Sequence, residues 1–275
     1  MTDRNTLRIA FIGFGEVGRT VTGDLRGTPG VEISAFDLKF NDPAQADALR
    51  AGAVALGVKP GSSATGACAG AHVIISAVTA SESEKVAQKV ATFIKPGQVY
   101  IDLNSASPNA KIRSSKVIDA TGANYVEWAV MAPIIGPGMK VPVLAGGALA
   151  EETTKRMNAI GFNGEAVSPE VGRASHMKLC RSIIIKGLEV LMVDCATAAA
   201  KAGVTKEVYA SLTETFPSLD FYKLADFMGE RVGTHGVRRA SEMYETAEML
   251  NDLGMNPELM RAVADAQLRG VKPKG

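Results

Sequence analysis

A glycine-rich loop between a buried strand and an amphipathic helix is the feature that most constrains the fold of this chain. The segment Gly13-Phe14-Gly15-Glu16-Val17-Gly18 fits G-x-G-x-x-G, with the apolar run Ile9–Ile12 before it and the amphipathic stretch Val17–Leu25 after it. In this context the first glycine allows a tight turn, the second lets a pyrophosphate approach the backbone, and the third lets the helix pack closely on the strand. Free N–H groups at the helix amino terminus favour an anion. The pattern therefore predicts a dinucleotide-binding site.

An acidic residue follows the second strand candidate, close to the distance of about 20 residues beyond the loop at which such folds bind the adenosine ribose. Asp37 can accept hydrogen bonds from both ribose hydroxyls and would repel a 2′-phosphate, which favours NAD. Lys39 can offer a cation to a phosphate, which keeps NADP as the alternative. In a plainer interpretation the glycines form an ordinary turn and Asp37 caps a loop.

The first half of the chain alternates short β-branched runs with helix-length amphipathic stretches, which is typical of a parallel sheet with crossover helices. We therefore expect an α/β fold, a Rossmann-type doubly wound sheet, over residues 1–168. The clearest helix candidate there is Ser81–Ile94. The strand candidates are Arg8–Ile12, Val31–Phe36, His72–Ala77, Val99–Leu103, Tyr125–Ala129 and, as an edge strand, Val141–Ala145.

Long helical patterns replace strand patterns after about Glu170, so residues 169–275 are predicted to form an all-α domain that begins with a long interdomain helix. That helix is predicted over Gly172–Ala202 and ends at Gly203. About four shorter helices are expected to follow, separated at Pro217, at Gly233 and at Gly254–Pro257, with a disordered tail from residue 270.

Composition gives no reason to expect nucleic acid or a membrane as a partner. The 30 Lys and Arg residues nearly balance the 29 Asp and Glu residues, so a small-molecule substrate is expected instead. The chain starts with a polar stub rather than a signal peptide and holds no apolar run of about 20 residues, so a cytoplasmic location is expected.

The cysteine and histidine residues show no metal-ligand spacing, so no metal is expected. Cys68, Cys180 and Cys195 are predicted to be buried free thiols.

Two polar segments follow later strand candidates, at the edge where a doubly wound sheet binds its ligand. Val78-Thr79 follows one strand and Asn104-Ser105 follows the next, and these residues are predicted to border the nicotinamide ribose. Helix capping is an equally good explanation for the serines nearby, since Ser81 and Ser107 both precede helix candidates.

The motifs together resemble the superfamily of β-hydroxyacid dehydrogenases, which includes 3-hydroxyisobutyrate dehydrogenase and 6-phosphogluconate dehydrogenase. The similarity covers most of the chain. It depends on the glycine loop, on Asp102-Leu103-Asn104-Ser105, which resembles the family's D-x-S-T, on Gly146-Gly147, and on Gly172–Cys180, which resembles the family's G-x-x-x-x-x-K segment. In that family the lysine of the last segment is the general acid/base, so the resemblance implies this role for Lys178.

Helix geometry adds candidates around Lys178, because Ser175 and Ser182 lie three residues before it and four after it, on one helix face. We expect Lys178 and Ser182 to be catalytic and Ser175 to bind substrate. Without the resemblance, the sequence pattern predicts that Lys178 is a surface lysine on an amphipathic helix.

Two positions depart from the family pattern. Met131 stands where the family has the serine of a Ser-Gly-Gly element that holds the substrate carboxylate, and Ser182 stands where it has an asparagine. We still expect Met131 to border the substrate, but these changes argue against 3-hydroxyisobutyrate and 6-phosphogluconate.

The segment Thr234–Met243 resembles the carboxy-terminal domain of a less characterised branch of the same superfamily and is predicted to open a helix. It brings His235, Arg238 and Arg239 to one side, where a guanidinium pair can bind a carboxylate or phosphate of the substrate. The alternative is that these arginines pair with glutamates, Glu242 among them, at an exposed or dimer-facing surface.

The sequence as a whole predicts an NAD-dependent dehydrogenase or reductase that acts on a CH–OH group of a small hydroxy acid or alcohol, or on the corresponding carbonyl. Two alternatives stay open, an imine reductase of similar fold and a non-catalytic dinucleotide sensor. A homodimer is expected through the helical domain, because its later helices carry apolar residues such as Leu212, Phe216 and Phe227 that so small a domain cannot bury alone.

Overall fold

The computed structural model describes residues 6–270, so the predicted disordered tail lies outside the described residues except for Gly270. An eight-stranded sheet in the order β3-β2-β1-β4-β5-β6-β7-β8 forms the first half of the molecule. All neighbouring strands are parallel except β6 and β7, which are antiparallel. The strands are β1 (Leu7–Ile12), β2 (Val31–Phe36), β3 (Val58–Pro60), β4 (Val73–Ser76), β5 (Val99–Asp102), β6 (Asn124–Val130), β7 (Pro142–Gly146) and β8 (Asn163–Ser168).

The sheet is covered on both faces, as its central strand shows. In β1, Ile9 and Phe11 belong to one apolar core, whereas Ala10 and Ile12 belong to a second core on the other face. Both faces are buried because the crossover helices pack on each side, which is the reason that such strands are continuously apolar. The predicted doubly wound α/β fold is confirmed.

Six helices accompany the sheet within the described residues. They connect successive strands and carry the parallel strands back to the same edge, so that the carboxyl ends of β1, β4 and β5 lie together. The helices are α1 (Glu16–Asp24), α2 (Ala46–Ala55), α3 (Ala64–Cys68), α4 (Ala80–Ala91), α5 (Pro108–Asp119) and α6 (Ala150–Asn158), with short 3-10 helices at Leu38–Asn41 and Gly138–Lys140.

The sheet is wider than the sequence predicts. Strand β3 has only three residues and ends in Pro60, and β8 is a polar and mostly half-exposed segment, so neither has the apolar signal of a central strand. Strand β7 was expected at the edge, which is wrong, because β8 pairs outside it.

The cap prediction for Ser81 is also wrong. Helix α4 already begins at Ala80, with Thr79 as its N-cap residue, and Ser81 Oγ lies 3.1 Å from Thr79 Oγ1. Ser107 does precede the first residue of α5, Pro108, as predicted.

The second half is helical, as predicted. It consists of α7 (Arg173–Ala202), α8 (Thr205–Thr215), α9 (Phe221–Asp252) and α10 (Glu258–Arg269). Gly203, with φ +70°, follows the end of α7 in the left-handed conformation that glycine adopts without strain.

Fewer and longer helices follow α7 than the sequence predicts. Gly233 was expected to separate two helices but lies buried in the middle of the 32-residue helix α9. The segment Thr234–Met243, which was expected to open a helix, also lies in the middle of α9. A glycine inside a helix costs only about 1 kcal/mol, which burial of the surrounding face offsets.

The chain divides into two compact units, which we call the sheet unit, ending at Lys178, and the helical unit, beginning at Leu179. The predicted division after residue 168 lies earlier in the chain. The difference arises because the first turns of α7 are held by the buried side chain of Glu127 on β6.

Candidate functional site

The three glycines of the loop after β1 have different surroundings. Gly13 has φ +89°, and a Cβ there would lie 2.3 Å from the carbonyl oxygen of Ala77. A Cβ on Gly18 would lie 2.7 Å from the carbonyl oxygen of Gly13. A Cβ on Gly15, in contrast, would meet nothing within 4 Å. The first and third glycines are therefore required by the fold, whereas Gly15 leaves open backbone at the N-terminus of α1.

Asp37 lies between the end of β2 and the glycine loop. Its Oδ2 accepts a hydrogen bond of 2.7 Å from the backbone N–H of Phe14, and its Oδ1 accepts one of 2.9 Å from that of Lys39. Each oxygen keeps a second lone pair, so the carboxylate can still accept a hydrogen bond from a ribose hydroxyl.

A cavity of about 610 Å³ opens beside this carboxylate within the sheet unit. Open glycine backbone, the N-terminus of α1 and an acid at the end of β2 are the donors and acceptors that a dinucleotide needs, so the residues fit that cofactor. Sequence reasoning missed Arg19, whose only signal was its place in the first turns of α1. The lining residues are Phe14, Gly15, Glu16, Arg19, Thr20, Asp37, Lys39, Gln45, Leu49 and Leu56.

Other residues of the predicted loop are structural. Phe14 is buried, and its ring lies 5.8 Å from that of Phe40. Val17 is half-buried and packs against the same core, whereas Glu16 is exposed at the start of α1.

Asn104 braces the strand ends rather than bordering open space. Its side chain is buried, Oδ1 accepts a 2.7 Å hydrogen bond from the N–H of Val78, and Nδ2 donates to Asp102 Oδ1 at 2.7 Å and to Ser76 Oγ at 3.0 Å. Thr79, which follows Val78, is exposed. The bonds of Asn104 therefore fix the β4–α4 and β5–α5 loops to each other.

A buried ion pair lies under these loops and was missed by sequence reasoning. Lys111 Nζ on α5 lies 2.9 Å from Asp102 Oδ1, and both side chains are almost completely buried. Tyr125 donates a 2.6 Å hydrogen bond to Asp102 Oδ2. Burial, and then the negative charge of Asp102, raise the pKa of Tyr125 well above its ordinary value. Asp102 and Lys111 are 9 residues apart and lie in different elements, so no local sequence pattern predicts that they pair.

Lys178 reaches the same edge of the sheet. Its Nζ lies 2.5 Å from Ser105 Oγ, and both residues are partly exposed. The structure thus brings together the predicted general acid/base and a residue predicted beside the nicotinamide ribose.

Glu127 holds the start of α7. Its Oε1 accepts hydrogen bonds from the N–H groups of Gly172 at 2.6 Å and Ala174 at 3.0 Å, and its Oε2 accepts one from Ser175 Oγ at 2.6 Å. Ser175 was expected to bind substrate, but its hydroxyl is buried in this contact. A carboxylate is stabilised there by the positive end of the helix.

Ser182 also has a protein partner, in the helical unit. Lys186 Nζ donates to Ser182 Oγ at 2.9 Å and lies 2.6 Å from Glu242 Oε2 on α9. Burial lowers the pKa of Lys186, and the charge of Glu242 opposes that shift.

The two predicted guanidinium ligands bind different glutamates. Arg239 is buried and lies 2.5 Å from Glu189 Oε2, whereas Arg238 is half exposed and lies 2.5 Å from Glu242 Oε1. The expected guanidinium pair is therefore wrong, because Arg239 is committed to the interior of the helical unit. His235 is exposed on α9.

Met131 follows the last residue of β6. Its N–H donates a 2.9 Å hydrogen bond to the carbonyl oxygen of Pro142, and its side chain is half-buried.

The cysteines are less uniform than predicted. Cys68 is buried, and burial raises the pKa of its thiol to about 12. Cys180 is exposed and Cys195 is half-buried, because both lie on α7 at positions that are not fully covered.

Residues 6–270 contain no group of three or more His, Cys, Asp or Glu side chains arranged to hold a metal ion. None of the helices described there has both the length and the apolar character needed to cross a membrane.

Comparison with known protein families supports the cofactor fold. Residues 8–149 match the family described as the NAD binding domain of 6-phosphogluconate dehydrogenase. The chain belongs to this family. Residues 199–269 match a domain of unknown function, DUF1932. The expected resemblance to the 6-phosphogluconate dehydrogenase superfamily, with a different helical domain, is confirmed.

Several relatives match nearly the whole chain. A conserved hypothetical protein from Sinorhizobium meliloti 1021 is 40% identical, with 96% of this chain and 88% of that chain covered and a TM-score of 0.82. A conserved protein of unknown function, described as similar in structure to 3-hydroxyacid dehydrogenases, is 30% identical, with 97% of this chain and 100% of that chain covered and a TM-score of 0.75. An uncharacterized 28.5 kDa protein of Methanothermus fervidus is 28% identical, with 93% of this chain and 95% of that protein covered.

More distant solved structures share the fold. Mycobacterium tuberculosis 3-hydroxyisobutyrate dehydrogenase with L-serine is 17% identical, with 96% of this chain and 93% of that chain covered and a TM-score of 0.77. A reductive aminase from Aspergillus terreus in complex with NADPH is 16% identical, with the same coverage and a TM-score of 0.62. A hydroxyacid dehydrogenase-like fold with a nicotinamide-cofactor domain is therefore shown.

Proposed function

We propose that this chain is an oxidoreductase that transfers hydride between NAD and a small hydroxy acid or alcohol, with Lys178 as the general acid/base. The observation that carries the proposal is the contact between Lys178 Nζ and Ser105 Oγ at the ligand edge of a dinucleotide-binding sheet. A lysine in that place is within reach of a substrate bound beside the nicotinamide.

The proposed cofactor contacts divide into three groups. The open backbone of Gly15 and the N-terminus of α1 bind the pyrophosphate. Asp37 binds the adenosine ribose and favours NAD over NADP, whereas Arg19 and Lys39 are the cations that would serve a 2′-phosphate. Val78, Thr79 and Ser105 border the nicotinamide ribose, with Asn104 holding their loops together.

The proposed proton transfer follows from these positions. NAD, when bound, supplies the hydride acceptor. In oxidation Lys178 in its amine form takes the hydroxyl proton of the substrate as the carbon loses hydride, and a carbonyl forms. In reduction Lys178 in its ammonium form returns that proton to the carbonyl oxygen.

The proposed substrate contacts are fewer than the sequence predicts. Ser175 and Arg239 are buried against Glu127 and Glu189, and we assign them to support of α7 and α9 instead. Ser182 is as buried as Ser175 and its hydroxyl accepts a hydrogen bond from Lys186, so we assign it to support of the helical unit as well. Met131, His235 and Arg238 stay proposed contributors. The L-serine complex of the distant dehydrogenase agrees with a small hydroxy acid.

An imine reductase is the second candidate. It is favoured by the side chain of Met131, which offers no hydroxyl for a substrate carboxylate, and by the reductive aminase among the fold relatives. An imine carries no carboxylate that would need such a group.

The first experiment separates these functions. Titration with NADH and NADPH by fluorescence should show tighter binding of NADH, and a screen of hydroxy acids, alcohols and cyclic imines should then show absorbance changes with that cofactor. Turnover of imines alone would select the second candidate, and binding without any turnover would select a non-catalytic dinucleotide sensor. Tighter binding of NADPH would overturn the role of Asp37.

The lysine is tested by Lys178→Ala. We expect kcat to fall at least about 100-fold with the Kd for NADH unchanged, because general acid/base groups contribute about that much. Lys201→Ala, which removes an exposed lysine from the same helix, is the control and should leave kcat unchanged. Turnover of Lys178→Ala within a few fold of the original would remove Lys178 from the mechanism.

We also propose that the helical unit binds a second copy of the chain. Ile184, Leu188 and Leu191 follow one another along one side of α7 and are 62%, 49% and 67% exposed. Contiguous exposed apolar side chains of this kind are typical of a protein interface.

A further inference from the structure

The contact between Lys178 and Ser105 has rigid supports on the serine side. Asn104, the residue before Ser105, is tied to Val78, Ser76 and Asp102 by side-chain hydrogen bonds of 2.7 to 3.0 Å. Asp102 is in turn paired with the buried Lys111. The loop that carries Ser105 is therefore held in place by hydrogen bonds in which the Ser105 hydroxyl takes no part.

The lysine side is equally fixed. Gly172, Ala174 and Ser175, in the turns before Lys178, all donate hydrogen bonds to the buried carboxylate of Glu127. The start of α7 thus has a set position on the sheet, and the 2.5 Å separation of Nζ and Oγ joins two braced segments. A contact built in this way holds the amine at one place.

The chemistry of the two groups matches the needs of a proton carrier. An ammonium group only donates hydrogen bonds, whereas an amine can also accept one, and a hydroxyl can do either by rotation. A serine next to the lysine can therefore remain hydrogen-bonded to it before and after the proton moves. An aliphatic neighbour offers no bond in either state.

We propose that Ser105 is a positioning residue for Lys178. The Ser105 hydroxyl accepts a hydrogen bond from Lys178 in its ammonium form and donates one to Lys178 in its amine form. The proposal rests on the proposed role of Lys178 but assigns Ser105 a task different from cofactor binding. It predicts that Ser105 controls the protonation of Lys178 itself.

The test follows the titration of Lys178 by NMR in protein labelled with ¹³C at lysine Cε, which requires no substrate. The Lys178 signal is assigned by its loss in Lys178→Arg. Hydrogen bonds that involve a charged partner are stronger than neutral ones, so removal of the hydroxyl destabilises the ammonium more than the amine. In Ser105→Ala we therefore expect the midpoint to move to lower pH by roughly one unit.

Matched variants make the result specific. Ser105→Thr keeps a hydroxyl and should restore the midpoint, and Ser62→Ala, an exposed serine after β3, should leave it unchanged. The charged groups that brace the two segments, Asp102 and Lys111 under the Ser105 loop and Glu127 under the start of α7, are the same in all variants. A midpoint in Ser105→Ala within 0.2 units of the original, roughly the precision of such a titration and far below the expected shift, would overturn the proposal.

The proposal and the wider function fail in different ways. If Lys178→Ala keeps its turnover, the catalytic role of Lys178 is lost whatever the NMR shows. If Lys178→Ala is inactive while Ser105→Ala weakens NADH binding without moving the midpoint, Ser105 is a cofactor ligand alone and only the inference is wrong.

Discussion

At the scale of single residues, Gly13 and Gly15 separate the needs of the fold from those of the ligand. Gly13→Ala combines a φ of +89° with a Cβ 2.3 Å from the Ala77 carbonyl, so we expect the free energy of unfolding to fall by about 2 kcal/mol or more. Gly15→Ala meets no atom within 4 Å and should keep its stability within about 0.5 kcal/mol. Its methyl group faces the proposed pyrophosphate site, and we expect NADH to bind at least about tenfold more weakly.

Urea unfolding and an NADH fluorescence titration measure both effects. The glycine in the middle of the loop has no ligand role if Gly15→Ala binds NADH as the original protein does.

Tyr125 gives the sheet unit a pH dependence on the alkaline side. Because its pKa is raised in the fold by burial and by Asp102, the folded state keeps the phenol proton to higher pH than the unfolded state. That contribution to stability is complete below the ordinary tyrosine pKa of about 10 and is lost as pH rises above it. In Tyr125→Phe we expect a loss of about 1 kcal/mol at pH 7, from the hydrogen bond to Asp102, but a shallower decline above pH 10.

Urea unfolding at several pH values between 7 and 11 tests this, with the exposed Tyr222→Phe as control. Because burial also raises the pKa of Tyr100, the alkaline decline should become shallower without disappearing. Equal slopes for Tyr125→Phe and the original protein would contradict the assignment.

At the scale of elements, the position of α7 depends on one acid of β6. Glu127→Leu leaves the N–H groups of Gly172 and Ala174 and the Ser175 hydroxyl without their acceptor, and we expect it to cost about 3 kcal/mol. Glu127→Gln keeps an oxygen for the two N–H groups and a donor toward the serine oxygen, so about 1 kcal/mol is expected. Thermal unfolding ranks the two variants, and a Gln variant as unstable as the Leu variant would mean that the charge at the helix start is what matters.

Local patterns predicted the elements that depend on neighbours in sequence. The glycine loop, the apolar strands and the start of α7 were all identified because strand burial and helix periodicity are written within a few residues. Strand β8 was missed because an edge strand with one solvated side needs no apolar run. The helix break predicted at Gly233 was wrong because packing of α9 offsets the free-energy cost of a glycine inside a helix, and that packing cannot be recognised from the sequence.

The polar interior of the candidate site could not be predicted for a related reason. Asp102 with Lys111, Glu127 with Ser175, and Arg239 with Glu189 join residues from different elements, and each side chain reads in sequence as an ordinary surface charge or cap. Only the assembled fold shows which charges are buried and which partner neutralises them. This is also the reason that Ser175 and Arg239 were expected to face substrate.

At the scale of the whole molecule, the exposed apolar residues of the helical unit favour association of two chains. The helical unit leaves Ile184, Leu188 and Leu191 exposed along α7 in a single copy, and aromatic residues such as Phe216 and Phe227 are 51% and 54% exposed on neighbouring segments. Full burial of a leucine side chain stabilises by about 1.5 to 3 kcal/mol, so covering these residues on each copy would favour association of two chains.

We expect light scattering after gel filtration to give about twice the chain mass of 28.8 kDa for the original protein. Leu191→Glu places a charge in the proposed interface and should reduce the mass to that of one chain, because a buried carboxylate without a partner is costly. Val54→Glu, an equally exposed apolar position on α2 of the sheet unit, should leave the mass unchanged and so controls for the added charge. If the original protein already has the mass of one chain at these concentrations, the stripe on α7 is not a contact between copies, and a different occupant must explain why it is apolar.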